Sequence, residues 1–216
     1  MSEARTTHPA ILVAMTAGAG VVDAVSYLAL GHVFTANMTG NIVLLGFAFA
    51  GASGLSISRS SVALIAFLAG AAVGGRMTLD LSGGRLTRVL LVEASLLVLS
   101  AALALISPQQ AYGVIASTAL AMGLRNAVVR KLAVPDLTTT VLTLTITGLA
   151  ADSGLAGGTN PRWQRRVAAI LAMLVGAAAG ARMVNRSTWF PLAICGVITA
   201  GCAFAHMHIN SKRRQP

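Results

Sequence analysis

The chain has 216 residues, of which 56% are hydrophobic and 10% charged, and its mean hydropathy is +0.77. Soluble domains carry about 25% charged residues, so this composition excludes a soluble enzyme, a secreted disulfide scaffold and a disordered regulator. The net charge of +10 comes with 5% aromatics and no nucleic-acid motif, so the basic excess reads as a determinant of membrane orientation, with no nucleic-acid partner.

A helix needs about 20 apolar residues to cross the hydrocarbon core. The first such stretch is 9–31, and Asp23 is the only charged residue between Pro9 and Ser58. Arg5 followed by an apolar run imitates a secretory signal, but Asp23 and the length of the run predict a retained span. The next apolar stretch, 38–54, is shorter. It is preceded and opened by polar residues: Thr35, Asn37, Thr39, Gly40 and Asn41. Residues 61–79 read as a second full span, whose Gly70 and Gly74 form a GxxxG pair that permits close helix approach.

Residues 88–106 make a third span. Glu93 lies within it, five residues from Arg88, and either snorkels or pairs with Arg88. A fourth span covers 111–130. Arg125 lies close to its inner end, where it snorkels or supplies charge to an anion pathway, and Asn126 follows it. A second short stretch, 137–152, is rich in threonine: Thr138, Thr139, Thr140, Thr143 and Thr145. Asp80 and Asp152 fall near segment ends and read as interfacial caps.

The last two spans are 166–183, with Gly176 and Gly180, and 188–206. Trp163 and Trp189 flank them as interfacial anchors. A GxxxG pair in each half predicts that the spans 61–79 and 166–183 cross each other near the pseudo-two-fold axis. Cys195 and Cys202 are seven residues apart in one apolar segment, too far for an easy disulfide, and read as packing residues. His206 and His208 point to different faces of a helix and make no metal pair. All these apolar runs are continuous rather than alternating, which excludes a β-barrel.

The halves resemble each other. FLAGAAVGGRM (67–77) and MLVGAAAGARM (173–183) agree at seven of eleven positions, at an offset of 106. At an offset of 103, Gly20, Asp23 and Ala24 align with Gly123, Asn126 and Ala127, and Thr35 with Thr138. This predicts one integral membrane domain over 1–216 with internal repeats of about 9–106 and 111–206. Charge then chooses the topology, because cytoplasmic loops collect Lys and Arg. If the short segments cross the membrane, the 16 basic residues divide 8 to 8; if they only dip in, they divide 13 to 3. The expected fold is therefore all-α, with six transmembrane helices, two half-membrane broken segments, an inverted 3+3 repeat and both termini cytoplasmic.

Irregular backbone survives at membrane depth only where it is buried or lines a wet cavity. The two broken segments should face each other near the midplane, as substrate and ion sites do in inverted-repeat transporters. The candidate solute or ion ligands are Asp23, Thr35, Asn37, Thr39 and Asn41 in the first half. In the second they are Asn126, Thr138, Thr139, Thr140 and Thr143. An alternative stands beside this: the threonines and asparagines cap half-helices and bond between helices. Asp23, which costs about 2.5–3.5 kcal/mol to carry at a helix centre, is either a titrating group or an acceptor for the N–H groups of a broken segment.

The blocks AGVVDAVSYL (19–28), FTANMTGN (34–41), GLRNA (123–127) and DLTTT (136–140) resemble the YoaK family, multi-pass bacterial membrane proteins of unknown function. The resemblance covers nearly the whole chain and implies a helical protein of the bacterial inner membrane. It implies altered chemistry where the family often carries Gln for Arg125 and a Val-Thr-Gly run for Val141, Leu142 and Thr143. No nucleophile–base motif, metal motif or dinucleotide fingerprint is present, so no enzyme and no cofactor are expected. The leading expectation is a transporter or channel for a small solute or ion. The alternative is a membrane scaffold or partner subunit. The lipid bilayer is the expected partner, and a homo-oligomer stays open.

Overall fold

The computed structural model describes residues 9–79, 84–107, 109–132 and 142–212. The elements run α1 (Pro9–Ala29), α2 (Met38–Phe49), α3 (Ile57–Met77), α4 (Arg85–Ile106), α5 (Ala111–Leu132), α6 (Leu142–Ala151), α7 (Trp163–Val184) and α8 (Trp189–Lys212), with one 3₁₀ turn at Gly154–Ala156. Among the described residues, six helices are long and apolar enough to cross a membrane, and α2 and α6 are shorter apolar helices. At 1.5 Å per residue the six reach about 30 Å or more, the thickness of the hydrocarbon core, whereas α2 and α6 reach about half of it.

Local chemistry sets the ends. Pro9 opens α1 at a position where its missing N–H costs nothing. Ser56 caps α3 by accepting from the Arg59 N–H at 3.3 Å, so this helix starts four residues before the expected 61. Helix α8 continues past 206 to Lys212 and carries His206 and His208 within it.

Two apolar clusters fix the helix directions. One gathers Val22 and Val25 of α1, Ala63 of α3, Leu97 and Ala101 of α4, Ile115 and Ala119 of α5, and Leu192 of α8. The other gathers Leu12 of α1, Leu86 and Leu90 of α4, Val128 and Leu132 of α5, Ala169 of α7 and Ala203 of α8, with Met77 of α3 against it. Helices α1, α4 and α7 therefore run from the second cluster toward the first, and α3, α5 and α8 run the other way. Polar contacts agree. Ser58 Oγ meets Tyr112 Oη at 2.8 Å at one end of α3 and α5, and Lys131 Nζ donates to Thr78 O at 2.7 Å at the other. Thr87, early in α4, meets His206, late in α8, at 3.0 Å.

Helix α3 packs most extensively on α5, α1 on α7, and α4 on α8. The glycines explain the first two pairings. A Cβ at Gly70 would overlap the Leu120 carbonyl, and one at Gly74 would lie 2.7 Å from Leu124 O. Likewise Gly176 lies on the Ala17 carbonyl and Gly180 on Val21. The expectation that the two GxxxG helices cross each other is therefore corrected. Each lies on the first long helix of the other half, because Gly20 and Gly123 supply the complementary small surfaces: Gly20 against Met173 and Ala177, Gly123 against Phe67 and Ala71. The most buried of the six long helices are α1 and α5.

A candidate solute cavity between the two short helices

Helix α1 ends at Gly31 (φ 93°) and His32 (φ 55°), where the chain leaves the helix through left-handed backbone. Phe34 then stacks back on Tyr27 at 5.0 Å between ring centroids. This return brings two backbone amides onto α1: Ala36 N–H donates to Asp23 Oδ1 at 2.8 Å and Asn37 N–H donates to the same oxygen at 3.3 Å. Asn37 in turn caps α2 by accepting from Gly40 N–H at 3.2 Å. Asp23, 6% exposed, thus sits at the mouth of α2 and satisfies N–H groups that lipid could not.

A cavity of about 320 Å³ opens beside this junction. Its wall takes Asp23 from α1, Asn37, Thr39 and Gly40 from the start of α2, and Asn126 from α5. Leu142, Thr143 and Ile146 of α6 line the same cavity, with Met122 and Met173. Of the residues singled out in the sequence, Asp23, Asn37, Thr39, Asn126 and Thr143 come together here. Thr35 and Asn41 do not line the cavity. Thr35 is fully buried, and its Oγ1 has no hydrogen-bond partner. Asn41 Nδ2 donates to Ser60 O at 3.1 Å and ties α2 to α3. Thr138, Thr139 and Thr140, with Asp80, lie outside the described residues.

Arg125 also reaches the wall, and it corrects two expectations. It does not snorkel: it is 2% exposed. Glu93 does not pair with Arg88, which is exposed. Instead Arg125 Nε donates to Glu93 Oε1 at 2.7 Å, and Nη2 is ion-paired with the same oxygen. Nη1 donates to Met15 O at 2.7 Å and Nη2 to Thr199 Oγ1 at 3.3 Å, so one guanidinium joins α5 to α4, α1 and α8. The sequence held a signal for this pair. Glu93 and Arg125 are equidistant from Gln109, the centre of the loop between α4 and α5, so the hairpin places them opposite each other.

Arg166 of α7 binds α6 through the Gly148 carbonyl and, just past the end of that helix, pairs with Asp152 at 2.7 Å. Cys195 and Cys202 are free and buried, and Cys195 Sγ lies 3.7 Å from Gly18 O. Among the described residues no three His, Cys, Asp or Glu side chains converge on a metal-sized site.

Six long apolar helices around a buried, partly polar centre define a multi-pass α-helical membrane protein. The chain belongs to the DUF1275 family, described as a protein of unknown function, which matches residues 11–205. It is 37% identical over 139 residues to the UPF0700 transmembrane protein YoaK of Bacillus subtilis (strain 168). That similarity covers 62% of this chain and 62% of the relative, less than two thirds of its length. No solved structure matches the chain.

Proposed function

We propose that the protein is a transporter or channel for a small solute or ion, and that the solute site is the cavity between α2 and α6. The observation that carries the reading is the meeting of both short helices at one cavity of about 320 Å³, within the size range of small-molecule sites. Polar groups at membrane depth are costly and usually functional, and Asp23, Asn37, Asn126 and Thr143 converge on this wall.

In this reading the halves are inverted repeats. Helices α1 and α3 run in opposite senses, so α2 enters and leaves on one side, and α6 does the same on the other. The glycine contacts support the duplication. Gly20 on Met173 and Ala177 corresponds to Gly123 on Phe67 and Ala71 when the 103 and 106 offsets are applied. The basic residues support a cytoplasmic side at the end holding Arg76, Arg85, Arg130, Lys131 and Arg162, with both termini there, in a bacterial cell membrane. Arg59, Arg182 and Arg186 lie at the other end. Arg125, being buried at depth, leaves the count without removing the bias.

One observation favours the scaffold reading: Asp23 already serves as acceptor for the entry to α2. A single experiment separates the two readings. With Cys195 and Cys202 replaced, Thr39→Cys is treated in native membranes with a small water-soluble thiol reagent. Rapid modification is expected for a solute pathway. Modification only after denaturation would mean a sealed centre and a structural role.

A further inference from the structure

The charges on the cavity wall are unevenly matched. Arg125 directs Nε and Nη2 at Glu93, Nη1 at Met15 O and Nη2 also at Thr199, so a buried carboxylate behind the wall already balances it. Asp23 has no cationic partner among the described residues; the backbone amides of Ala36 and Asn37 donate to it. A helix N-terminus carries only about half a unit of positive charge, and the two amides on Asp23 belong to the turn just before α2, at Ala36 and at the N-cap Asn37. Leu142 and Thr143, at the start of α6, line the same cavity as Asp23 and bring no charged side chain to it. An approaching anion would face a full carboxylate charge at close range in a site of low dielectric, and a cation would gain from it.

The rest of the wall specifies the shape of that cation. Asn37, Thr39, Asn126 and Thr143 offer acceptor oxygens. Ile146 and Met173 offer only hydrocarbon and thioether surface. A bare alkali ion would leave most of a cavity of about 320 Å³ filled by water against that apolar surface. We propose that the solute carries a positively charged amine. Its ammonium group sits at Asp23, with asparagine and threonine oxygens as further acceptors, and its short hydrocarbon body lies against Ile146 and Met173. This rests on the reading of the cavity as a solute site.

The test is thermal unfolding of the purified full chain, because a ligand that binds only the folded state raises its melting temperature. The probes are propylammonium chloride, sodium propionate and 1-propanol, with sodium chloride at matched ionic strength as baseline. Propylammonium should give a saturable rise that the other three lack. Asp23→Asn should weaken its apparent affinity about tenfold or more, the equivalent of one lost charge contact. Asp23→Asn also weakens the entry to α2, so Asn126→Asp serves as the second variant. It adds a carboxylate to the wall and should tighten propylammonium binding about tenfold. A saturable rise with propionate or propanol, and none with propylammonium, overturns the amine assignment and leaves the solute site standing. A rise complete with sodium chloride alone points to an inorganic cation and also overturns it. No saturable shift with any probe, together with an unreactive Thr39→Cys, overturns both this proposal and the reading beneath it.

Discussion

Glu93→Gln removes the charge that balances a buried arginine. Glu93 is 0% exposed and Arg125 2%, so water cannot take over the ion pair. Breaking a buried pair by removing one partner costs about 3–5 kcal/mol, because the other charge stays buried without compensation. Glutamine keeps one acceptor oxygen for Nε or Nη2, and a retained hydrogen bond returns about 0.5–1.5 kcal/mol. The expected net loss is therefore about 2–4 kcal/mol. Arg125→Gln should cost a similar amount. The double variant should cost less than the sum of the singles by about 2 kcal/mol, since residues in one network couple. Reversible unfolding of the purified chain in mixed micelles measures all three. A Glu93→Gln variant within about 0.5 kcal/mol of the parent, or a strictly additive double variant, would show that the pair does not support the four-helix junction.

The glycine packing makes a second prediction. Gly70→Ala and Gly176→Ala each place a Cβ against a backbone carbonyl and should destabilise by about 1–3 kcal/mol, whereas Gly201→Ala, which meets open space, should lower the melting temperature little or not at all. Topology is tested in a Cys-free background. Cysteines at 59 and 186 should label from outside intact cells with an impermeant reagent and one at 85 should not, and the reverse pattern at 85 and 59 would sink the inverted arrangement. Asp23→Asn keeps one acceptor for the Ala36 and Asn37 amides but loses the charge, so stability should fall by about 1–3 kcal/mol; an unchanged melting temperature would remove Asp23 as the anchor of α2.

Much of the architecture was legible in one dimension because lipid imposes simple rules. Long charge-free runs must be spanning helices, since the backbone has no water to bond with, and this yields six long helices and two short ones. The side-to-side distribution of Lys and Arg favours dipping over crossing short segments, the arrangement proposed above. The seven matched positions between 67–77 and 173–183 are the sequence signal for the proposed duplication, and FTANMTGN marked the place where α1 gives way to α2.

Tertiary structure alone decided which surfaces meet. GxxxG says that a helix will approach another closely, but not which one. Only the matching small surfaces at Gly20 and Gly123 send α7 to α1 and α3 to α5, interlocking the halves. Charge placement shows the same limit. The hairpin register sets Glu93 level with Arg125, but Arg88 also lies within reach along the sequence, and only the inward turn of the α4 face toward α5 makes Arg125 the partner. Thr35 and Asn41 carry the same polar signature as Asn37 and Thr39, yet they turn into the protein while their neighbours line the cavity. Hydropathy records the cost of placing a polar group in the membrane. Which neighbour offsets that cost depends on helix rotation, and helix rotation is set by long-range packing that no local stretch of sequence contains.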